Sequence, residues 1–240
     1  MPKSLRARPF APDHTLAVTL AVILAVLLVV GACGPKRLAV VGPLDDPDAT
    51  AAALRARTRI EEPVRIDFRW RLNEAGSRVS GVGVARIEPP HRARLDLFLD
   101  NDESVMSAAL VDDDLRLPRG APDDILPPVE LMWATLGVFR PMDGARLVGG
   151  ERLEGSPERL RYAYDDRIEL HFEIDQGAVE ALELVEGAAV VQWVRLVRDG
   201  GRYPRSARYR NLVDFRELEI TRTSVSPADA FDPAIFDPRR

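Results

Sequence analysis

The sequence contains few of the residues that most often build catalytic and metal sites. It has a single cysteine, Cys33, and three histidines among 240 residues. One cysteine cannot form an internal disulfide, and it excludes a zinc site built on several thiolates. The formal net charge of -5 also argues against general binding of nucleic acid, because such a surface does not neutralise phosphates. We therefore predict no disulfide and no nucleic-acid partner.

Motifs that would carry catalysis are also missing from the pattern. The stretch Gly81 to Gly83 lacks the third glycine and the following helix of a dinucleotide site. The stretch Asp112 to Asp114 lacks the spaced oxygen ligands of a calcium loop, and it is typical of a hairpin turn. Neither His91 nor His171 has a partner in a recognisable catalytic arrangement. The sequence therefore predicts a protein that is not an enzyme, with no metal and no cofactor.

The N-terminus has the features of a secretory signal. A basic start is followed by a hydrophobic run from Leu16 to Val30, which is short for a membrane-spanning helix but suits a signal core. Small residues then lead directly to the lone cysteine in Val30-Gly31-Ala32-Cys33. This segment resembles the bacterial lipobox, in which the cysteine thiol accepts a diacylglyceryl group. An uncleaved membrane anchor with a chance cysteine is the alternative.

The lipobox resemblance implies an address and an anchor. Residues 1–32 are expected to be a signal peptide, and lipidated Cys33 is expected to hold the chain to a membrane facing the periplasm. Gly34 stands where an aspartate would favour the inner membrane, so we expect the outer membrane. Residues 33–47, rich in Gly, Pro and Asp, are expected to form a flexible tether without helix or strand. The remaining residues, 48–240, are expected to form one domain.

Most of this domain shows the periodicity of β-strands. After a predicted first helix from Ala49 to Arg59, apolar and polar residues alternate, as in Arg92 to Leu99 and Arg167 to Ile174. Alternation of this kind is typical of antiparallel strands with one face in water. About eleven such segments, separated by turn residues, are too many for a small sandwich. The sequence therefore predicts a mainly β domain, with a large curved antiparallel sheet in the form of a half-barrel.

A second helix interrupts the strands in mid-chain. The segment Pro128 to Phe139 has apolar residues at the i, i+3, i+4, i+7 spacing of one helical face. They are Val129, Met132, Trp133 and Leu136. Gly137 is expected to end this helix, which would then cover the open apolar side of the sheet.

The order of these elements resembles the LolA/LolB family of periplasmic lipoprotein carriers and receptors. Short sequences in the predicted strands fit the family pattern: Phe68-Arg69-Trp70, Glu88 to Asp96, Tyr203-Pro204, and Phe215 to Leu218. The resemblance implies a half-barrel of about eleven strands, in which an N-terminal helix and a mid-chain helix cover an apolar cavity on the concave face. It also implies binding or transfer of a lipid or a lipoprotein acyl chain.

Two functions remain open at this point. In a carrier, the residues expected to line the ligand pocket are Leu95, Leu97, Val129, Met132, Trp133 and Leu136. In a structural or assembly lipoprotein that acts through protein contacts, the same residues would fill a packed core. An open apolar cavity beneath the mid-chain helix favours the first function, and a filled one favours the second.

Overall fold

The structure is a computed structural model that describes residues 38–121 and 125–238. The predicted signal peptide and Cys33 lie outside these residues. The described chain forms one antiparallel sheet of 13 strands with two α-helices. This confirms the predicted fold class, although two more strands are present than the expected eleven or so. In the part of the chain that the structure describes, no helix is long and apolar enough to cross a membrane.

The helices and strands alternate much less than in an α/β protein. The helices are α1 (Pro47–Thr58) and α2 (Val129–Thr135), and a 3-10 turn spans Pro233–Phe236. The strands are β1 (Val40–Pro43), β2 (Val64–Glu74), β3 (Ser77–Glu88), β4 (Arg92–Leu99), β5 (Ser104–Val111), β6 (Asp114–Arg116), β7 (Arg146–Leu153), β8 (Glu158–Ala163), β9 (Ile168–Asp175), β10 (Ala178–Glu186), β11 (Ala189–Val197), β12 (Ser206–Asn211) and β13 (Arg216–Pro227).

The strand order places β7 to β13, with β1 at their edge, beside β2 to β6 in one sheet. Across the sheet it is β1-β7-β8-β9-β10-β11-β12-β13-β2-β3-β4-β5-β6. Most neighbours are consecutive hairpin strands, and the pair β13–β2 brings the end of the chain against its beginning. Both helices and the main hydrophobic cluster lie on one face of the sheet, which we call the concave face.

Strand β1 corrects the prediction that residues 33–47 contain no helix or strand. Val40–Pro43 pairs with β7, and the next residue, Leu44, donates its amide to the carbonyl of Gly150 at 2.9 Å. Val40 and Val41 are exposed. The strand is therefore held by backbone hydrogen bonds at the edge of the sheet, and it does not need the apolar alternation that reveals half-buried strands.

Helix α1 begins where its cap predicts. The side chain of Asp46 accepts a hydrogen bond from the amide of Ala49 at 2.8 Å, and Pro47 occupies the first turn. At the other end, the Thr58 hydroxyl accepts a hydrogen bond from the amide of Phe139 at 3.0 Å. This contact fixes the end of α1 to the segment that follows α2.

Helix α2 is shorter and more deeply buried than predicted. It spans Val129–Thr135 rather than Pro128 to Phe139, because Gly137 adopts a φ of 77° and the chain turns out of the helix. Every residue from Leu131 to Phe139 is buried. The prediction of a mid-chain helix over the concave face is therefore confirmed, although burial extends beyond the one apolar face that the spacing predicts.

Two glycines of β3 make room for aromatic side chains on the concave face. Phe68 lies opposite Gly83, and Trp70 lies opposite Gly81. A Cβ atom on Gly83 would lie 2.4 Å from the Phe68 ring, so only glycine fits there. The Trp70 indole donates to the carbonyls of Val82 at 3.0 Å and Phe98 at 3.1 Å. The two glycines of β3 thus serve close packing against these aromatic rings.

Candidate functional site

The concave face contains a small apolar cavity beside the C-terminal end of α2. Its volume is about 30 Å³. That volume admits a water molecule or two, whereas ligand pockets usually measure about 300–1,000 Å³. Its lining combines five strands with the end of α2, and its apolar residues include Ile66, Phe68, Ala85, Leu95, Leu136, Ala207 and Ile220.

Strand register explains how residues distant in sequence meet at this cavity. Leu95 of β4 pairs with Ala85 of β3, which in turn pairs with Ile66 of β2. On the other side, Ala207 of β12 pairs with Ile220 of β13. These residues point to the concave face, and the small side chains of the two alanines leave the gap.

The predicted ligand residues divide into two groups. Leu95 and Leu136 line the cavity together. Leu97, Met132 and Trp133 are packed inside the core, with 0%, 1% and 2% of their surfaces exposed. Val129 is partly buried and packs against that core. The structure therefore brings two of the six residues to one cavity, and a ligand-binding role for any of them stays a prediction.

The loop between β11 and β12 supplies cavity residues that the sequence analysis missed. Tyr203 and Pro204 are buried against the end of α2. A Cβ atom on Gly137 would lie 2.7 Å from Cδ of Pro204, so the helix end and this loop are in close contact. In the sequence, the only sign of these cavity residues is an aromatic residue and a proline inside a Gly- and Arg-rich loop. Loops of this composition are usually exposed, so the burial of the pair is not expected.

Trp133 anchors α2 to the hairpin between β5 and β6. Its indole donates a hydrogen bond to the carbonyl oxygen of Asp112 at 2.8 Å. The His91 ring meets it edge-on, with ring centroids 5.7 Å apart. Burial lowers the pKa of His91, and the charge of Arg140 adds to this effect. At neutral pH, His91 is therefore an uncharged packing partner of the tryptophan.

A second, larger cavity is polar and borders the first. Its volume is about 550 Å³, and its walls carry guanidinium groups from Arg57, Arg198 and Arg202. Nε of Arg198 lies 3.4 Å from a carboxylate oxygen of Glu180. Burial raises the pKa of Glu180 although Arg198 opposes the shift, which indicates a poorly solvated site. We call this space the mouth cavity.

A buried carboxylate holds the opposite face of the sheet together. Asp96 accepts hydrogen bonds from Arg86 at 2.6 Å, Ser107 at 2.6 Å and Arg94 at 2.8 Å. Burial would raise the pKa of Asp96, but these hydrogen bonds and the two arginine charges outweigh burial and hold it below the ordinary value. Arg94 also donates to the carbonyl of Ile235 at 2.7 Å, which ties the C-terminal 3-10 turn to β4. This cluster is a structural centre.

Within residues 38–121 and 125–238, no group of three or more His, Cys, Asp or Glu side chains is arranged to hold a metal ion. The charged side chains at the two cavities are arginines, a glutamate and an aspartate, and the other polar side chains are those of threonines, a serine, a glutamine and a tyrosine. These cavities therefore offer shape, apolar surface and positive charge to a ligand.

Comparison with solved structures identifies the fold. The chain superposes on an outer membrane lipoprotein-sorting protein domain from Vibrio parahaemolyticus with a TM-score of 0.53, over 80% of this chain and 97% of that one. A DUF1329 family protein from Desulfovibrio piger gives a TM-score of 0.53, over 81% of this chain and 98% of that one. A LolA superfamily protein from Nitrosomonas europaea gives 0.46, over 78% and 96%.

These similarities establish a class of structure. Sequence identity is 10% in each of the three comparisons, so the relationship is one of fold. No protein-family model and no curated protein matches the sequence. The chain shares its fold with the outer membrane lipoprotein-sorting domain and the DUF1329 family protein, which confirms the predicted resemblance at the level of fold.

Proposed function

We propose that this protein is a lipid-anchored, non-catalytic periplasmic protein that binds a hydrophobic ligand, an acyl chain of a lipid or lipoprotein, on the concave face of its sheet. The observation that carries this proposal is the apolar cavity between Leu95 and Leu136, which lies under the end of α2 and borders the mouth cavity. The shared fold with a lipoprotein-sorting domain supports it. An acyl chain needs an apolar trough and no catalytic group.

The size of the cavity determines how a ligand enters. An acyl chain does not fit in about 30 Å³, so the cavity has to widen. Lifting all of α2 would expose Leu131, Met132 and Trp133, at about 1.5–3 kcal/mol for each side chain. Moving only Leu136 and the adjoining Tyr203-Pro204 segment exposes much less apolar surface. Entry therefore occurs at the C-terminal end of α2, while Trp133 remains in place.

Binding of a fluorescent fatty acid tests this site. Leu136→Glu places a charge in the cavity, and it is expected to weaken binding at least tenfold because the carboxylate would be buried beside the chain. Val148→Glu is the matched control, since Val148 is an exposed apolar residue of β7. Circular dichroism of each variant establishes that it is folded. Absence of binding by folded wild-type protein, or equal binding by all three proteins, would contradict the proposal.

A second function is favoured by the close filling of the concave face. An envelope scaffold that acts through protein contacts needs no cavity, and it needs exposed contact residues instead. Phe215 and Val213, in the turn between β12 and β13, are 82% and 65% exposed. The side chain of Asn211 accepts hydrogen bonds from the amides of Val213 and Asp214, which holds this turn in one shape. A folded protein that binds no acyl probe would favour this function.

The lipid anchor forms part of the proposal and has its own test. Cys33→Ser is expected to abolish incorporation of labelled palmitate and to leave an unprocessed precursor, because serine offers no thiolate for lipid transfer. Fractionation of wild-type cells is expected to place the protein in the outer membrane. Labelled fatty acid in the serine variant would disprove acylation at Cys33.

A further inference from the structure

We propose that the mouth cavity binds a phosphate-bearing head group, so that the ligand is an anionic amphiphile with its chain in the apolar cavity and its head among the arginines. This inference rests on the proposed function and deepens it. Guanidinium groups recognise phosphate oxygens through paired, charge-assisted hydrogen bonds. The mouth cavity, at about 550 Å³, is large enough for such a group.

The positive charge in the mouth cavity is only partly neutralised. Arg198 is paired with Glu180 at 3.4 Å. Among the residues that the structure describes, neither Arg57 nor Arg202 has a carboxylate within ion-pair distance. Arg202 instead donates a hydrogen bond to the carbonyl oxygen of Arg57 at 3.2 Å, which brings the two residues together at the end of α1. The Arg202 guanidinium also lies over the Tyr203 ring, 5.9 Å from its centroid, so the two guanidinium groups meet other protein groups but no carboxylate of the described residues.

Acidic groups at the same cavity set a limit on which anions bind. Asp175 and Glu180 both line the mouth cavity, so strong general attraction of anions is not expected. Burial lowers the pKa of Arg198, Glu180 raises it, and the charge of Arg57 lowers it further. Arg198 is partly shielded from water, so an anion that reaches it gains more from that contact than it would at an open surface, whereas Arg57 and Arg202 are exposed. Tight binding of a ligand therefore requires apolar contacts in addition to its charge.

The two cavities are placed to receive two parts of one molecule. Tyr203 lines both of them. Along α2 and the turn after it, Thr135 and Leu136 face the apolar cavity, whereas Gly137 and Val138 face the mouth cavity. A chain that enters beside Leu136 therefore leaves its head group next to the arginines. This geometry selects an amphiphile over a free anion.

Three probes separate the head group from the chain. They are decyl phosphate, decyl glucoside with a neutral head, and inorganic phosphate. The full-length protein is held in nanodiscs of neutral phosphatidylcholine, with empty nanodiscs as the blank, and each probe is titrated below its micellar concentration. We expect decyl phosphate to bind at least tenfold more tightly than either other probe, because it fills both cavities.

Paired substitutions locate the effect. Arg57→Gln with Arg202→Gln is expected to weaken decyl phosphate binding about tenfold and to leave decyl glucoside binding unchanged, because only the charged contacts are lost. Arg78→Gln with Arg146→Gln is the matched control, since these two exposed arginines line neither cavity. Decyl phosphate binding by this control is expected to equal that of wild type.

The outcomes distinguish this inference from the proposed function. Equal affinity of wild type for the two decyl probes, or an unchanged affinity in the Arg57 and Arg202 variant, overturns the head-group site but leaves acyl binding intact. Inorganic phosphate that binds as tightly as decyl phosphate identifies a free-anion site and also overturns it. If wild type binds neither decyl phosphate nor decyl glucoside, both the proposed function and this inference are overturned.

Discussion

Replacement of Trp133 by alanine is expected to lower the free energy of unfolding by about 3–5 kcal/mol. The side chain is 2% exposed and lies within the main hydrophobic cluster, so its removal leaves a large void. The hydrogen bond to the carbonyl of Asp112 is lost as well. Urea denaturation followed by circular dichroism measures the effect. Because domains are usually stable by about 5–15 kcal/mol, this variant would be close to the limit of folding.

A smaller change at the same position separates packing from hydrogen bonding. Trp133→Phe keeps an aromatic ring in the core but has no indole N–H, and it is expected to cost about 1–3 kcal/mol. A loss of less than about 1 kcal/mol in Trp133→Ala would contradict a packed position for this residue. In that case, α2 would be a loosely held cover, and entry by displacement of the whole helix would have to be reconsidered.

Replacement of Asp96 by asparagine is expected to destabilise the domain by about 3 kcal/mol, because removal of one partner leaves the other charges of a buried cluster uncompensated. Arg86, Arg94 and Ser107 all direct hydrogen bonds to this carboxylate. Asp67→Asn is the control: Asp67 pairs with Arg65 at 2.7 Å on the exposed face, and its loss is expected to cost less than about 1 kcal/mol. Similar losses in the two variants would contradict a special role for the buried cluster.

The pH dependence of stability provides a second measure of the Asp96 cluster. The pKa of Asp96 is lowered in the folded protein, so the folded state favours the ionised carboxylate more strongly than the unfolded state does. Its contribution is fully present above the unfolded pKa, about 3.9, and is lost as the pH falls through the lower folded pKa. The stability difference between wild type and Asp96→Asn is therefore expected to be constant above about pH 5 and to shrink below pH 4. A constant difference down to pH 2 would contradict this account.

The parts of the fold that the sequence predicts are those held by local patterns. Alternating strands such as Arg92–Leu99, and the Asp46-Pro47 start of α1, follow from side-chain periodicity and capping. Strand β1 is not predictable in this way, because an exposed edge strand depends on the backbone of its partner β7. The end of α2 at Thr135 depends on the turn at Gly137, which shortens a helix that periodicity alone extends to Phe139.

The candidate site also combines features that local sequence patterns predict with features that depend on contacts between distant elements. Alternation places Leu95 and Ile220 on the apolar faces of their strands, but only the strand order brings β4 and β13 to opposite sides of one cavity. The mouth cavity depends on the meeting of the end of α1, the turn after α2, the hairpin of β9 and β10, and the loop between β11 and β12. No local pattern marks Arg57 and Arg202 as neighbours in a sequence with so many arginines. The carrier hypothesis could be formed from the sequence, whereas the place of ligand entry required the structure.

The most direct test of ligand carriage is mass spectrometry of lipids that copurify with the domain produced without its signal peptide and without Cys33. The account predicts that the domain with its natural site residues carries a bound acyl-chain lipid. The same domain with Leu136→Glu is expected to carry much less. It also predicts that Val148→Glu carries as much lipid as the unaltered domain. Folded domain that carries no lipid, or the same lipid in all three proteins, would contradict binding at the cavity beside α2.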